Sequence, residues 1–130
     1  MVMKTNTLPL RLRNGAISAS ADTITIGSRF DVANTRQFAR AVARMAERKP
    51  PYAVLDLSRT RSLDSSGFGA LVSGLKRLNE SGTTPIVVCA NSSVRRLMDF
   101  AGLARSFAIV DRMRDARSIM HDGAQDALAS

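Results

Sequence analysis

Apolar and polar residues alternate at the start of the chain. In LPLRLRNGAISASADTITIG, residues 8–27, the period is two and is interrupted at Asn14-Gly15 and Ala21-Asp22. That pattern predicts two or three short antiparallel strands with one solvated face. From Asp31 the period lengthens. Phe38, Val42 and Met45 recur at helical spacing, Asp31 stands where an N-cap belongs, and Lys49-Pro50-Pro51 ends the run. YAVLDLS, 52–58, is short and nearly all apolar, as in a strand covered on both faces. A six-residue loop, 59–64, leads to a helix whose stripe is Leu71, Leu75 and Leu78 and whose end is Ser81-Gly82. TPIVVCA predicts the next buried strand. NSSVRRLMDFAGL predicts a helix capped by Asn91 or a serine, with Val94, Leu97, Met98 and Ala101 as its apolar face and Gly102 as its stop. SFAIV is a fifth strand, and DRMRDARSIM a last helix with Met113, Ala116 and Met120 facing inward.

Strands alternating with helices over residues 31–120 imply an α/β sheet with parallel core strands, because each crossover carries a helix. The expected architecture is a mixed four- to five-stranded sheet with antiparallel N-terminal strands and about four helices. The 130 residues suffice for one domain, 1–130, with its core over about 8–120. The tail HDGAQDALAS is weakly patterned and is expected to fray or dock loosely.

Composition adds little to the fold and more to the choice of partners. Hydrophobic residues make up 45% and charged residues 23%, ordinary for a globular chain. The single cysteine, Cys89, lies in an apolar run and reads as a small buried hydrophobe. No stretch has the length of a signal peptide's apolar region or of a membrane span, so the expected location is the cytoplasm, without membrane insertion. The net charge of +8 is unusual and uneven: residues 1–64 hold 11 basic and 5 acidic side chains, residues 65–130 hold 8 and 6. Part of that surplus is Arg36, Arg40, Arg44 and Arg48, spaced by four on the first helix. At 100° per residue they span about 120° of one face, opposite Phe38, Val42 and Met45. Such a row is a solvated face or a docking surface for something acidic. With little aromatic interleaving and no recognition-helix signature, the charge supports no specific nucleic-acid binding.

Enzymatic chemistry finds little support. The one histidine, His121, falls near the expected frayed end, and the nucleophile-elbow, phosphate-loop and dinucleotide-binding glycine motifs are absent. One Cys and one His among scattered acids make no metal set, so neither metal nor cofactor is expected. More informative is SLDSSGFGALVSGLKRL, residues 62–78, where Asp64, Ser65 and Ser66 follow a buried strand and open a helix. Such a loop lies at the carboxyl edge of the sheet, where open α/β folds present functional groups. One of the three residues can simply cap the helix. Alternatively, a phosphoserine in the first turn would be received by free backbone N–H groups and the positive end of the helix dipole. Gly67 and Gly69 leave the hydroxyl accessible to a kinase.

LDLS, DSSGFGAL, SSVRRLMDFAGL and the closing F-x-I-x-D with DA, in this order and spacing, resemble the STAS family over about residues 24–120, most of all its stand-alone bacterial anti-anti-sigma factors. The resemblance implies a single STAS-like domain and a non-enzymatic function as an anti-sigma factor antagonist. It implies Ser65 as the phosphoacceptor, an anti-sigma factor serine kinase as partner, and a phosphatase to reset the switch. Asp64, Ser66, Gly67 and Phe68 would shape the site, with Asp31 alongside. Two departures bear on partner choice. GSRFD replaces the family's G-E-[IL]-D turn, with one extra residue and no glutamate, and RTRS puts Arg59 and Arg61 where apolar residues are usual. The alternative is a cytoplasmic STAS subunit of a lipid or anion transporter, in which the same surface docks constitutively. An anion or nucleotide binder is a third reading. Monomer or weak dimer is the expected state.

Overall fold

The structure, a computed structural model, describes residues 16–129. Its elements are β1 (Ile17–Ala19), β2 (Thr23–Ile26), β3 (Arg29–Phe30), α1 (Thr35–Arg48), β4 (Tyr52–Asp56), β5 (Ser62–Leu63), α2 (Ser65–Glu80), β6 (Thr84–Val88), α3 (Ser92–Phe100), a 3₁₀ turn at Leu103–Arg105, β7 (Ala108–Val110) and α4 (Met113–Ala129). Five strands form one sheet in the order β1-β2-β4-β6-β7, antiparallel between β1 and β2 and parallel elsewhere. The α/β class, the mixed five-stranded sheet and the four helices agree with the sequence. A strand preceding Asn14-Gly15 would lie outside the described residues.

Alternation along the strands divides the core in two. Ile24, Leu55 and Val87 are neighbours in register and face α1, α2 and α3, where Phe38, Met45, Leu71, Leu75, Leu78 and Met98 meet them. Leu71, Leu75 and Leu78 are fully buried, and at about 2 kcal/mol per leucine this stripe alone anchors α2 to the sheet. Val54, Ile86 and Val88 face the other way and are covered by Ala116 and the partly buried Met113, Ile119 and Met120 of α4. This is why β4 and β6 read as continuous apolar runs: both of their faces are roofed. Cys89 is buried, and that burial pushes its thiol above its ordinary pKa.

The structure corrects four local expectations. Asp31 does not cap α1; Asn34 occupies that position, and the chain between them forms a turn. The loop 59–64 contains β5, which pairs in parallel with β3 as a separate two-stranded ribbon. Leu97 and Ala101 face outward, because α3 is nine residues long and buries only Val94 and Met98. Finally, α4 continues through the segment expected to fray, reaching Ala129, with Gly123 seated so closely against the Tyr52 ring that a Cβ would collide with it.

Candidate functional site

The ribbon β3–β5 assembles the site. Its register sets Arg29 beside Ser62 and Phe30 beside Leu63, so the chain leaves both strands at the same level, one into the Asp31 turn and the other into Asp64. The Asp64 N–H donates to the Phe30 carbonyl at 3.2 Å. With extended backbone, Asp64 then turns its carboxylate onto the start of α2 and accepts from the Gly67 N–H at 2.8 Å. The capping alternative is thereby resolved in favour of the aspartate. Gly67 is buried, and a Cβ there would run into the Phe30 carbonyl. No larger residue could bring the first turn of α2 this close to the ribbon.

Ser65 and Ser66 therefore stand in the first turn of a helix whose cap comes from a neighbouring residue. Both are exposed, and among the described residues neither hydroxyl is held in a hydrogen bond. Their N–H groups belong to the set that a helix cannot satisfy internally. The helix dipole adds positive potential at the same place.

The Asp31 turn is built differently. The Asn34 carboxamide donates to the Arg29 carbonyl at 2.7 Å and accepts from the Asp31 N–H at 3.0 Å, while the Asp31 carboxylate accepts from the Ala33 N–H at 3.0 Å. Asn34 faces back toward the ribbon and gives α1 no side-chain cap. Val32, at the tip of this turn, is 72% exposed.

On the other side of Ser65 an apolar groove of about 310 Å³ runs between the start of α2 and the end of α3. Leu63, Asp64, Ser65 and Phe68 form one wall, and Leu97, Phe100 and Ala101 the other. Phe100 is 93% exposed and Leu97 45%. The serine hydroxyl thus lies on the rim of an apolar surface wide enough to receive a side chain from another molecule.

The structure gathers Asp64, Ser65, Ser66, Gly67 and Phe68 in one place, with the Asp31 turn joined to them by the ribbon. Arg59 and Arg61 are exposed on the connection before β5, which is pinned to the sheet by the Thr60 hydroxyl on the Gly27 carbonyl at 2.9 Å and the Arg61 N–H on the Ser28 carbonyl at 2.8 Å. Arg36, Arg40, Arg44 and Arg48 run down the exposed face of α1, from its first turn to its last. Sequence reasoning missed Val32, Leu97, Phe100 and Ala101 as surface residues. Leu97, Phe100 and Ala101 at i, i+3 and i+4 form a second apolar row that a helix as short as α3 cannot bury along with the first.

Comparisons with known proteins agree with this architecture. Residues 17–116 match the family model of the STAS domain. An anti-sigma F factor antagonist of Paenibacillus polymyxa is 34% identical over 64 residues, covering 49% of this chain and 55% of that protein, so the match spans about half of each. Among solved structures, the anti-sigma factor antagonist SpoIIAA in its unphosphorylated form superposes with a TM-score of 0.62 at 14% identity, covering 84% of this chain and 98% of that one. The Bacillus cell fate determinant SpoIIAA in its phosphorylated form gives 0.61 at 15% identity, covering 81% and 98%. A sulfate transporter family protein of Wolinella succinogenes gives 0.66 at 15% identity, covering 73% and 80%. At such identities the structural likenesses speak for the fold.

Proposed function

The chain belongs to the STAS domain family, and on that premise we propose that it is a cytoplasmic anti-sigma factor antagonist switched by phosphorylation of Ser65. The observation that carries this reading is the position of the exposed Ser65 hydroxyl, in the first turn of α2 and on the rim of the apolar groove. The partner is an anti-sigma factor serine kinase that seats an apolar side chain against Phe68, Leu97 and Phe100 while the serine is unmodified. Asp31, Asp64, Ser66 and Gly67 define the polar side of that contact, and Arg59 and Arg61 raise the potential near the approaching phosphate donor. The protein acts by binding and not by catalysis.

The switch follows from local electrostatics. A phosphate on Ser65 is received by the unpaired N–H groups and dipole of α2, so the fold carries it at modest cost. It also places about −1.5 to −2 charge beside Asp64 and on the wall of the groove. A partner closing over that wall would have to desolvate the dianion beside the Asp64 carboxylate. A coupling of about 1 to 3 kcal/mol already gives a 5- to 150-fold change in affinity. A phosphatase restores the binding state.

The test is affinity capture from native lysate with wild-type, Ser65→Ala and Ser65→Asp baits, with the retained proteins identified by mass spectrometry. Wild type and Ser65→Ala should retain a serine kinase of the anti-sigma type, and Ser65→Asp should lose most of it. Equal retention by all three sinks the switch. The fold also occurs in a sulfate transporter family protein, and the second reading is a docking subunit of a transporter, for which transporter subunits would be retained equally by all baits.

A further inference from the structure

The basic face of α1 is not needed by the Ser65 switch, and its geometry has its own regularity. Arg36, Arg40, Arg44 and Arg48 are all exposed, at successive steps of four residues. Each step rises about 6 Å, so the row is about 18 Å long and follows the i±4n ridge of the helix. Among the described residues no carboxylate pairs with any of the four; the ion pairs there belong to Arg95 and Arg117. Arg36 stands in the first turn of α1, which holds no acidic residue, so it faces the positive end of the dipole. Like charges at i, i+4 add a further small penalty. Arg36, Arg40 and Arg44 therefore weaken the helix that carries them with no compensating partner among the described residues, whereas Arg48 stands in the last turn, where the dipole favours a cation.

A second feature shows where a carboxylate would lodge. Ala19, Ser20, Ala21 and Ala41 leave a cavity of about 260 Å³ beside the lower end of the row, walled by Arg44 and Arg48. Arg48 is fixed there by donating to the Ser20 and Ala21 carbonyls at 3.3 and 3.0 Å. The small side chains supply the room, and the two guanidiniums supply the charge. All four cations are arginine, whose planar fork suits oriented, bidentate pairing with carboxylates.

We propose that this ridge is a docking surface for an acidic α-helix of a protein partner, with carboxylates spaced by four residues and one of them seated between Arg44 and Arg48. Two helices share the same 6 Å repeat, so four arginines and four carboxylates stay in register along the whole contact. Ridges of the i±4n type interdigitate at a crossing angle of about −50°, which keeps the two rows parallel. An anionic membrane fits less well, because Val32 at the N-terminal end is the one large exposed hydrophobic adjoining α1 among the described residues.

The probe is a hydrocarbon-stapled 20-residue helix with glutamates at i, i+4, i+8 and i+12, compared by fluorescence anisotropy with the same four glutamates distributed round the helix. The wild-type chain should bind the registered helix about tenfold more tightly, the effect of one or two desolvated charge pairs. Arg40→Gln with Arg44→Gln should abolish the preference, and Arg40→Lys with Arg44→Lys should reduce it severalfold despite unchanged charge. Both positions are exposed, and circular dichroism checks that the variants fold. Equal affinity for the two peptides overturns the proposal. So does stronger binding to a 20-base-pair duplex or to vesicles of phosphatidylserine than to the registered helix. Neither outcome touches the Ser65 reading, which rests on the first turn of α2 and the groove beside it and on none of the four arginines.

Discussion

The two ends of the sheet are held together in different ways. At the carboxyl end, where α1, α2 and α3 begin, polar side chains satisfy backbone groups within a few residues. Asp64 caps Gly67, Asn91 accepts from Ser93 and Val94, and Asn34 bonds Asp31 and Arg29. At the opposite end, where helices finish, the β1–β2 turn is gripped by residues distant in the chain: Arg48 from α1 on the Ser20 and Ala21 carbonyls, and Arg117 from α4 on the Asp22 carboxylate at 3.0 Å. Local capping leaves the carboxyl end open, with Ser65, Val32 and Phe100 exposed there. Closure by long arginines instead ties the layers together at the amino end. Long-range ties occur at the carboxyl end too, the Thr60 hydroxyl on the Gly27 carbonyl at 2.9 Å and Arg95 on Asp111 at 2.7 Å, but neither engages Ser65, Val32 or Phe100.

The largest effect expected at the carboxyl end comes from Gly67→Ala. The new methyl would overlap the Phe30 carbonyl, backbone that cannot swing aside, with the Leu63 side chain next to it at 3.1 Å. The ribbon and the first turn of α2 must separate, at a cost of about 3 kcal/mol or more. Urea unfolding should show a lower midpoint, and capture of the proposed kinase partner should fall together with stability. An unchanged midpoint would mean that the ribbon is not what positions Ser65.

A smaller effect separates the two aspartates. Asp64→Ala removes the cap of α2 and should cost about 1 kcal/mol, within the range measured for N-caps. Asp31→Ala removes one exposed bond to the Ala33 N–H and should cost no more than about 0.5 kcal/mol. Thermal unfolding of both variants checks the order. If Asp31→Ala proved the costlier, the turn before α1 would be as structural as the loop before α2, contrary to their hydrogen bonding.

The same contrast explains what could be read from the sequence. Asp64-Ser65-Ser66-Gly67 is a local signal: the cap, the close approach and the exposed hydroxyls lie within four residues and follow from turn and capping chemistry. The periods of α1, α2 and β4 are likewise local. Asp31 misled because capping propensity does not distinguish an aspartate at the helix start from one three residues earlier, when an asparagine lies between. The groove was illegible because Leu63 and Phe100 meet only after three strands and two helices have packed. Leu97 and Ala101 look like core residues until the length of α3 is compared with the width of its apolar face. The grip on the β1–β2 turn is the extreme case, since nothing near Asp22 announces a partner 95 residues away.

That grip yields a further prediction, and it tests the amino end directly. Partial burial opposes charge on Asp22, but the Thr23 hydroxyl and the Arg117 guanidinium outweigh it and hold the carboxyl below its usual value of 3.8. A carboxyl depressed in the folded state binds protons more readily when unfolded. Its contribution is therefore present above about pH 3.8 and is lost as pH falls through the lower folded value. Arg117 and Asp22 remain partly exposed, so the contribution is no more than about 1 kcal/mol and shrinks in high salt. Urea midpoints measured from pH 6 down to pH 3 should converge for wild type and Asp22→Asn as the carboxyl of the former protonates. Arg117→Gln should narrow the gap at pH 6, leaving the part due to Thr23. A gap that persisted unchanged to pH 3 would show that the turn is held by Arg48 and its backbone bonds, and that the charge on Asp22 contributes nothing to closing this end of the sheet.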